Sequence, residues 1–248
     1  MNNKKLIIFD LDGTLSVSKT PMDKEMSELL VALLRKKDVA VISGGSYAQF
    51  EKQFLKSLDC PHELLKRLHL FPTCSTSFYR YQNGWKNIYQ ETLAPEEKKK
   101  IVDAFTKALP EAAYVKPETP YGDILEDRDT QITFSGLGQQ APIELKEKWD
   151  PDHKKRLYIK GFLDGYLPQF EVTVAGTTSI DVTRKGIDKA YGIAQMVKHL
   201  RIRKEEMLFV GDALFEGGND YPVRATGVEC VQVANPEETK RLIRSLIS

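Results

Sequence analysis

Two aspartates near the start of the chain, Asp10 and Asp12, follow directly after the short apolar run Leu6–Phe9. A spacing of two residues at the end of a strand sends both side chains the same way. Clustered carboxylates repel each other unless a cation lies between them or one takes a proton. Mg2+ typically binds one or two carboxylates with water and phosphate oxygens, and a carboxylate can also attack phosphorus. The pair therefore predicts a cation site or a nucleophile; a turn in which both side chains cap the backbone is the alternative.

The next apolar run, Val39–Ile42, is also followed by groups that can bind phosphate. Ser43 supplies a hydroxyl, and Gly44 supplies an unhindered backbone N–H in front of a predicted helix, where phosphate binds readily. Thr14, just after Asp12, supplies a second hydroxyl. An ordinary glycine-rich turn between a strand and a helix is the alternative.

A third apolar run, Met207–Val210, precedes a loop rich in polar side chains. Asp212 can complete a cation site opposite Asp10, because hard cations prefer oxygen ligands from several segments. Asn219 and Asp220, later in the same loop, can orient water or neighbouring ligands. A polar loop with no ligand is the alternative.

The elements around these residues predict a doubly wound, Rossmann-like α/β fold with a parallel sheet. The apolar runs are short and do not alternate with polar residues, as in strands buried on both faces. Helical patterns follow them at residues 23–37, 47–58, 187–200 and 236–246. Ligands in such sheets bind at the carboxyl ends of the strands, so Asp10, Ser43 and Asp212 are expected to meet in one crevice.

The middle of the chain has a different pattern. Apolar and polar residues alternate there, which is typical of an antiparallel sheet with helices on one face. The predicted strands include 131–134 and 170–174, and the helical patterns cover 95–109 and 151–167. We therefore predict a core domain formed by residues 1–84 and 186–248, with an α+β domain inserted at 85–185.

Composition excludes several classes of function. Lys and Arg total 36 and Asp and Glu total 35, giving a net charge of +1, which does not favour binding to nucleic acid. No apolar run approaches the ~18 residues of a membrane helix, and the first residues lack a signal-peptide pattern. The three cysteines are widely separated, which suits a reducing compartment. We expect a cytoplasmic protein that binds neither nucleic acid nor membranes.

Taken in order, these segments resemble the motifs of the haloacid dehalogenase superfamily, the first of which reads D-x-D-x-T. The resemblance covers the whole chain and implies that residues 85–185 form a C2-type cap, as in subfamily IIB. It implies that Asp10 is the nucleophile, that Asp12 is the general acid/base, and that both bind Mg2+ together with Asp212, Asp12 through its backbone carbonyl. The implied phosphate-binding residues are Thr14, Ser43, Gly44 and Lys189, the last of which matches the family pattern better than Lys185.

A closer resemblance is to the eukaryotic-type phosphomannomutase family. The segments that carry it are Ser43–Lys52, Gly176–Lys189 and Gly217–Asp220. In that family, cap arginines, a serine and an aspartate bind the sugar and its distal phosphate, which implies these roles for Arg128, Ser179 and Asp181. Other family arginines fall at Gln139 and near Lys146, which we retain as predicted substrate-binding residues.

The family arginine after the first motif falls near Lys19. Together with Gln139 and Lys146, this position alters the predicted phosphate anchor, because lysine lacks the forked geometry of arginine and glutamine lacks the charge. Phosphoryl transfer is therefore expected, whereas the mutase activity depends on how the altered anchor binds a second phosphate.

The resemblance implies Mg2+-dependent phosphoryl transfer through an aspartyl-phosphate on a hexose phosphate. The leading prediction is a mutase that converts mannose 6-phosphate to mannose 1-phosphate, with a hexose 1,6-bisphosphate as activator. The alternative is a sugar-phosphate phosphatase. A receiver-type signalling module, which also phosphorylates an aspartate beside Mg2+, lacks the D-x-D-G-T spacing and the insert. The expected partners are a small-molecule sugar phosphate and, as an option, a second copy of the chain in a homodimer.

Overall fold

The computed structural model describes residues 3–17 and 20–248. Its strands are β1 (Leu6–Asp10), β2 (Asp38–Ile42), β3 (Leu68–Phe71), β4 (Ser77–Tyr81), β5 (Trp85–Gln90), β6 (Leu125–Asp127), β7 (Ile132–Ser135), β8 (Phe170–Ala175), β9 (Ser179–Arg184), β10 (Met207–Gly211) and β11 (Glu229–Gln232). Its α-helices are α1 (Lys24–Leu34), α2 (Tyr47–Gln53), α3 (His62–Leu65), α4 (Pro95–Glu111), α5 (Ile143–Trp149), α6 (Lys154–Tyr166), α7 (Lys189–Leu200) and α8 (Pro236–Ile247). Short 3-10 helices cover Leu55–Ser57, Thr73–Ser75, Lys204–Glu206 and Tyr221–Thr226.

The chain divides into two compact units, which are described separately. One contains the described residues up to Gln90 together with Asp188–Ser248, and the other contains Glu91–Ile187. The two boundaries between the units, 90/91 and 187/188, lie later in the chain than the predicted boundaries, 84/85 and 185/186. The first differs because Trp85–Gln90 forms β5, which pairs with β4 in the sheet of the first unit.

A seven-stranded sheet forms the first unit, in the order β11-β10-β1-β2-β3-β4-β5. β1 pairs in parallel with β10 and β2, and β2 pairs in parallel with β3. β4 and β5 are antiparallel additions at one end of the sheet. Because β1, β2 and β10 run in the same direction, the segments that follow them all begin at one edge of the sheet.

Both faces of the central strands β1 and β10 are buried, which explains the apolar runs without alternation. Successive side chains of a strand point to opposite faces. Ile7 and Phe9 therefore pack with helices α1 and α8, whereas Leu6 and Ile8 pack on the other face with α7. All four side chains are fully buried, and each such burial contributes about 1.5–3 kcal/mol. The predicted α/β fold is confirmed.

A four-stranded antiparallel sheet forms the second unit, in the order β6-β7-β9-β8. One face is apolar and packs against α4 and α6 through residues that include Ile132, Phe134, Ile180 and Val182. The opposite face carries the polar side chains Thr133, Ser135, Ser179 and Asp181, which are nevertheless buried. This alternation is the pattern expected for a sheet with helices on one side.

The helices of the structure include no candidate for a membrane span. Among the helices in residues 3–17 and 20–248, none combines the length and the apolar character that crossing a bilayer requires.

Candidate active site

Asp10 is the last residue of β1 and is buried. The chain then turns sharply, and the backbone N–H of Gly13 donates to the carbonyl of Ser16 at 2.7 Å. Gly13 has a φ of +88°, and a Cβ at this position would lie 2.5 Å from Oδ2 of Asp212. Only glycine fits here, because it adopts positive φ readily and leaves room for the carboxylate.

Asp212 and Asp220 lie close to Asp10. One carboxylate oxygen from each of the three residues lies within 4.8 Å of the other two. Asp220 is fully buried and accepts a hydrogen bond from the backbone N–H of Ala213 at 3.0 Å. A Cβ at Gly211 would lie 2.3 Å from Oδ2 of Asp220, so this glycine makes room for the third carboxylate.

Lys189 supplies the positive charge in this cluster. It opens helix α7, which begins after Asp188, whose side chain caps the helix by accepting from the backbone N–H of Tyr191. The Lys189 ammonium donates to Oδ1 of Asp10 at 2.6 Å and also to Oδ1 of Asp220. The side chain of Lys189 is almost completely buried, so these contacts are little screened by water.

The electrostatics of the cluster are those of a site short of positive charge. Burial raises the pKa of Asp10 well above its ordinary value; Lys189 opposes the rise, whereas Asp220 and Asp212 add to it. Burial also raises the pKa of Asp212, and Asp220 adds to that rise. Burial alone would lower the pKa of Lys189, but Asp10 and Asp220 raise it above its usual range.

The three clustered carboxylates, two of which contact the ammonium of Lys189, form a donor set suited to a hard divalent cation. Mg2+ prefers oxygen ligands and usually binds one or two carboxylates together with water and phosphate oxygens. The side chains that could hold it are those of Asp10, Asp212 and Asp220. Asp220, predicted only as support for the metal loop, thus belongs to the cluster, and its neighbour Asn219 is half-buried.

The side chain of Asp12 makes a different contact. Its Oδ1 accepts a hydrogen bond from Nε2 of Gln53 at 2.8 Å, and its backbone forms an isolated bridge with Ser16. Gln53 was not among the residues predicted from the sequence. It follows directly after the segment that resembles the family, but nothing in its type or spacing indicates a contact with Asp12.

Ser43 follows β2 and is buried. Its hydroxyl oxygen accepts from the backbone N–H of Gly45 at 3.1 Å, across the half-buried Gly44. Helix α2 begins directly after this loop, at a capping box formed by Ser46 and Gln49. Thr14, the other predicted phosphate-binding hydroxyl, is buried and lies 3.5 Å from Oδ1 of Asp212.

A left-handed turn supports the Ser43 loop. The three consecutive residues Thr73, Cys74 and Ser75 have φ values of 49°, 53° and 67°, a conformation that costs non-glycine residues energy. The backbone N–H groups of Thr73 and Cys74 donate to the carbonyls of Gly45 and Ser43, both at 2.9 Å. This turn could not be predicted from the sequence, since none of the three residues favours positive φ.

In the second unit, Arg128, Gln139 and Lys146 are linked by contacts. Nε and Nη2 of Arg128 lie 2.7 and 2.6 Å from Oε2 of Glu126, and Nη2 also donates to Oε1 of Gln139 at 3.2 Å. The ammonium of Lys146 donates to the backbone carbonyl of Gln139 at 3.2 Å. Nε2 of Gln139 is buried with no hydrogen-bond partner among the described residues.

Asp181 and Ser179 lie on the polar face of the β7–β9 pair. Oδ1 of Asp181 accepts from the hydroxyl of Thr133 at 2.8 Å, its partner across the strands. Ser179 lies opposite Ser135, and both are buried. Lys19, where another family arginine falls, lies outside the described residues.

The comparisons with known proteins define the class of protein. The family model described as haloacid dehalogenase-like hydrolase matches residues 7–222, and the chain therefore belongs to this family. The predicted superfamily and the prediction of an enzyme are confirmed.

Within this family, the chain is similar in sequence to phosphomannomutases. The chain is 27% identical to the phosphomannomutase of Encephalitozoon cuniculi, over 98% of this chain and 93% of the relative. It is 26% identical to that of Spinacia oleracea, over 95% and 93%, and 25% identical to that of Saccharomyces cerevisiae, over 98% and 94%.

Solved structures support the fold. An IMP-bound, N-terminally truncated IMP-nucleotidase of Plasmodium falciparum superposes with a TM-score of 0.71 at 18% identity, covering 98% of this chain and 68% of that one. A haloacid dehalogenase-like hydrolase from Bacteroides thetaiotaomicron gives a TM-score of 0.64 at 14% identity, covering 98% and 99%. At these identities the likeness concerns the fold alone.

Proposed function

We propose that this enzyme transfers a phosphoryl group from a hexose phosphate through an aspartyl-phosphate at Asp10, with Mg2+ as cofactor. The observation that carries the proposal is the buried cluster of Asp10, Asp212 and Asp220 around Lys189. Phosphoryl transfer requires mainly positioning and stabilisation of charge, and this cluster offers a nucleophile, an ammonium and oxygen ligands for a cation.

Each half-reaction uses the two aspartates in turn. A carboxylate oxygen of Asp10 forms a bond to phosphorus while the bond between phosphorus and the sugar oxygen breaks. Asp12 donates a proton to the departing sugar oxygen and then removes a proton from the acceptor that attacks the aspartyl-phosphate. The transferred phosphate is bound by Ser43, Gly44, Thr14 and Lys189. A Mg2+ ion held by Asp10, Asp212 and Asp220 would supply positive charge that offsets the charge of the phosphate oxygens.

A mutase is the first candidate for the complete reaction. The relatives from three organisms are phosphomannomutases and match nearly the whole chain. In this proposal, Arg128, Ser179 and Asp181 bind the sugar and its distal group, with Gln139 and Lys146 completing the subsite. A mutase must hold a bisphosphorylated sugar at its far phosphate, so it would also require a hexose 1,6-bisphosphate as activator.

A phosphatase is the second candidate, and the contacts of Arg128 favour it. Two nitrogens of its guanidinium are bound to Glu126, so part of its donor capacity and its positive charge are already paired with a carboxylate. Gln139 adds a buried neutral N–H donor that has no hydrogen-bond partner within residues 3–17 and 20–248, and such a donor matches a sugar hydroxyl or a carbonyl better than a dianion. In a phosphatase, water takes the phosphoryl group from Asp10 and no second phosphate is bound.

One experiment separates the candidates. Mannose 6-phosphate is incubated with Mg2+, with and without glucose 1,6-bisphosphate, and both free phosphate and mannose 1-phosphate are measured. Mannose 1-phosphate that forms only with the bisphosphate supports the mutase, and free phosphate alone supports the phosphatase. If neither product forms and 4-nitrophenyl phosphate is also not hydrolysed, the proposed phosphoryl transfer is wrong.

A further inference from the structure

The contact between Gln53 and Asp12 has no place in the roles described so far. Gln53 is the last residue of α2, and its side chain is buried. Its Nε2 donates to Oδ1 of Asp12 at 2.8 Å and to the hydroxyl of Ser16 at 3.3 Å. Both hydrogens of the amide nitrogen are therefore directed into the turn that follows β1.

We infer that Gln53 is a positioning residue that holds the carboxylate of Asp12 in the orientation needed for proton transfer to the leaving group. The inference rests on the proposed function, because that function gives Asp12 the role of acid. Gln53 acts through Asp12 and has no assigned contact with the substrate.

The backbone fixes the position from which Gln53 acts. Its carbonyl accepts from the backbone N–H of Met22 at 2.9 Å, so the end of α2 is bound to the far end of the segment that begins at Asp12. The near end is a tight turn, in which Gly13 N–H donates to the Ser16 carbonyl at 2.7 Å. Because the backbone of Gln53 and the turn after Asp12 are both fixed by hydrogen bonds, the side-chain amide of Gln53 can restrict Asp12 to few side-chain rotamers.

The hydrogen bond from Gln53 is made to Oδ1 of Asp12. We therefore assign the proton that passes to the leaving group to the other carboxylate oxygen, Oδ2.

The test compares two esters that differ in their need for a proton. The alkoxide-like oxygen of phenyl phosphate requires more assistance on departure than that of 4-nitrophenyl phosphate, and neither depends on which sugar the enzyme recognises. With enzyme in excess, a single turnover measures release of the phenol and not the later breakdown of the aspartyl-phosphate. Gln53→Met keeps the length of the side chain and removes both hydrogen bonds.

We expect Gln53→Met to slow release from phenyl phosphate by about 10- to 100-fold, a part of the rate that general acids contribute. Release from 4-nitrophenyl phosphate should stay within about threefold, because a good leaving group departs with little proton transfer. Lys52→Met, at the exposed neighbouring position of α2, is the matched control and should leave both rates unchanged.

Two outcomes overturn the inference. An equal loss with both esters would show that Gln53 supports the site as a whole, and unchanged rates with both would show that Asp12 needs no support. Thermal unfolding of Gln53→Met identifies a loss caused by misfolding. In that case Ser16→Ala serves as a second variant, because it removes one acceptor of the same amide. It is expected to slow release from phenyl phosphate more than release from 4-nitrophenyl phosphate. Asp10→Asn separates this inference from the proposed function: if that variant still releases phenol, the proposed function itself is wrong.

Discussion

The two units of the chain each bury a charged cluster, but they balance the charge differently. In the first unit, the ammonium of Lys189 contacts two of three clustered carboxylates, those of Asp10 and Asp220, and the pKa of Asp10 and of Asp212 is raised. In the second, the guanidinium of Arg128 has a carboxylate of its own, Glu126. The comparison shows that negative charge is in excess around Asp10, whereas the positive charge of Arg128 is matched by one carboxylate.

A charge imbalance in a buried site is costly unless something completes it. The cluster around Asp10 can therefore hold a cation, whereas the charge of Arg128 is already paired with that of Glu126. The predictions that follow run from the largest effect to the smallest, and the first four test how charge is balanced in the two units.

The first prediction concerns the nucleophile. Asp10→Asn should abolish turnover, because an amide cannot form the acyl phosphate. Steady-state hydrolysis of 4-nitrophenyl phosphate with Mg2+ measures this. Activity within about tenfold of the parent, a barrier change of only about 1.4 kcal/mol, would falsify the assignment.

The second prediction concerns the cation. Asp212→Ala should raise the Mg2+ concentration needed for half-maximal activity or eliminate activity, because it removes one of the three carboxylates that could hold the cation. A Mg2+ titration of the same assay measures the shift. An unchanged titration curve would mean that Asp212 does not contact the metal.

The third prediction uses a buried pair in the second unit as a contrast. Arg156 and Asp150 have fully buried side chains, 2.7 Å apart, and Arg156 also donates to the carbonyls of Ala175 and Gly176. Asp150→Ala should lower the free energy of unfolding by about 3–5 kcal/mol, because it leaves a buried charge unpaired. Denaturant unfolding measures the loss; a change below about 1 kcal/mol would contradict the structural role.

The fourth prediction sharpens the position of Arg128. Arg128→Ala should weaken catalysis on mannose 6-phosphate by about 1.5–3 kcal/mol, as expected for a hydrogen bond to a charged group, and should spare a small aryl phosphate. The comparison of kcat/KM for both substrates measures this. Equal effects on both, or none, would leave Arg128 as the internal partner of Glu126 and favour the phosphatase.

The fifth prediction concerns the left-handed turn. Ser75→Gly should raise the free energy of unfolding by about 1 kcal/mol, because glycine removes the cost of positive φ. The hydroxyl of Ser75 has no hydrogen-bond partner among the described residues, so little is lost with it. Ser75→Ala keeps the Cβ and serves as the control; if both variants have the same stability, the turn is not strained.

The sequence was sufficient for much of the fold. The apolar runs at Leu6–Phe9 and Met207–Val210 predicted β1 and β10 because both faces of these strands are buried. The helix predicted over 47–58 ends at Gln53 and continues as a 3-10 turn at Leu55–Ser57, since apolar periodicity does not show where hydrogen bonding changes. Strands β3, β4 and β5 were not identified, because each depends on pairing with strands elsewhere in the chain.

The candidate site was predicted in part for a similar reason. Asp10, Asp212 and Lys189 follow recognisable segments, and the structure brings them together. The contacts of Gln53 with Asp12 and of Glu126 with Arg128 could not be foreseen, because glutamine and glutamate on helices or short strands are common and their partners are set by tertiary packing. The roles of these residues stay predictions.

Strand β5 has a consequence for how the protein behaves at high concentration. It ends the seven-stranded sheet, and most of its residues are exposed. An open edge can recruit a strand from another molecule and start aggregation, and lysine is among the residues that oppose this. Lys86, exposed within β5, places a charge on that edge, so its replacement by valine should make the protein aggregate more readily without altering the chemistry at Asp10.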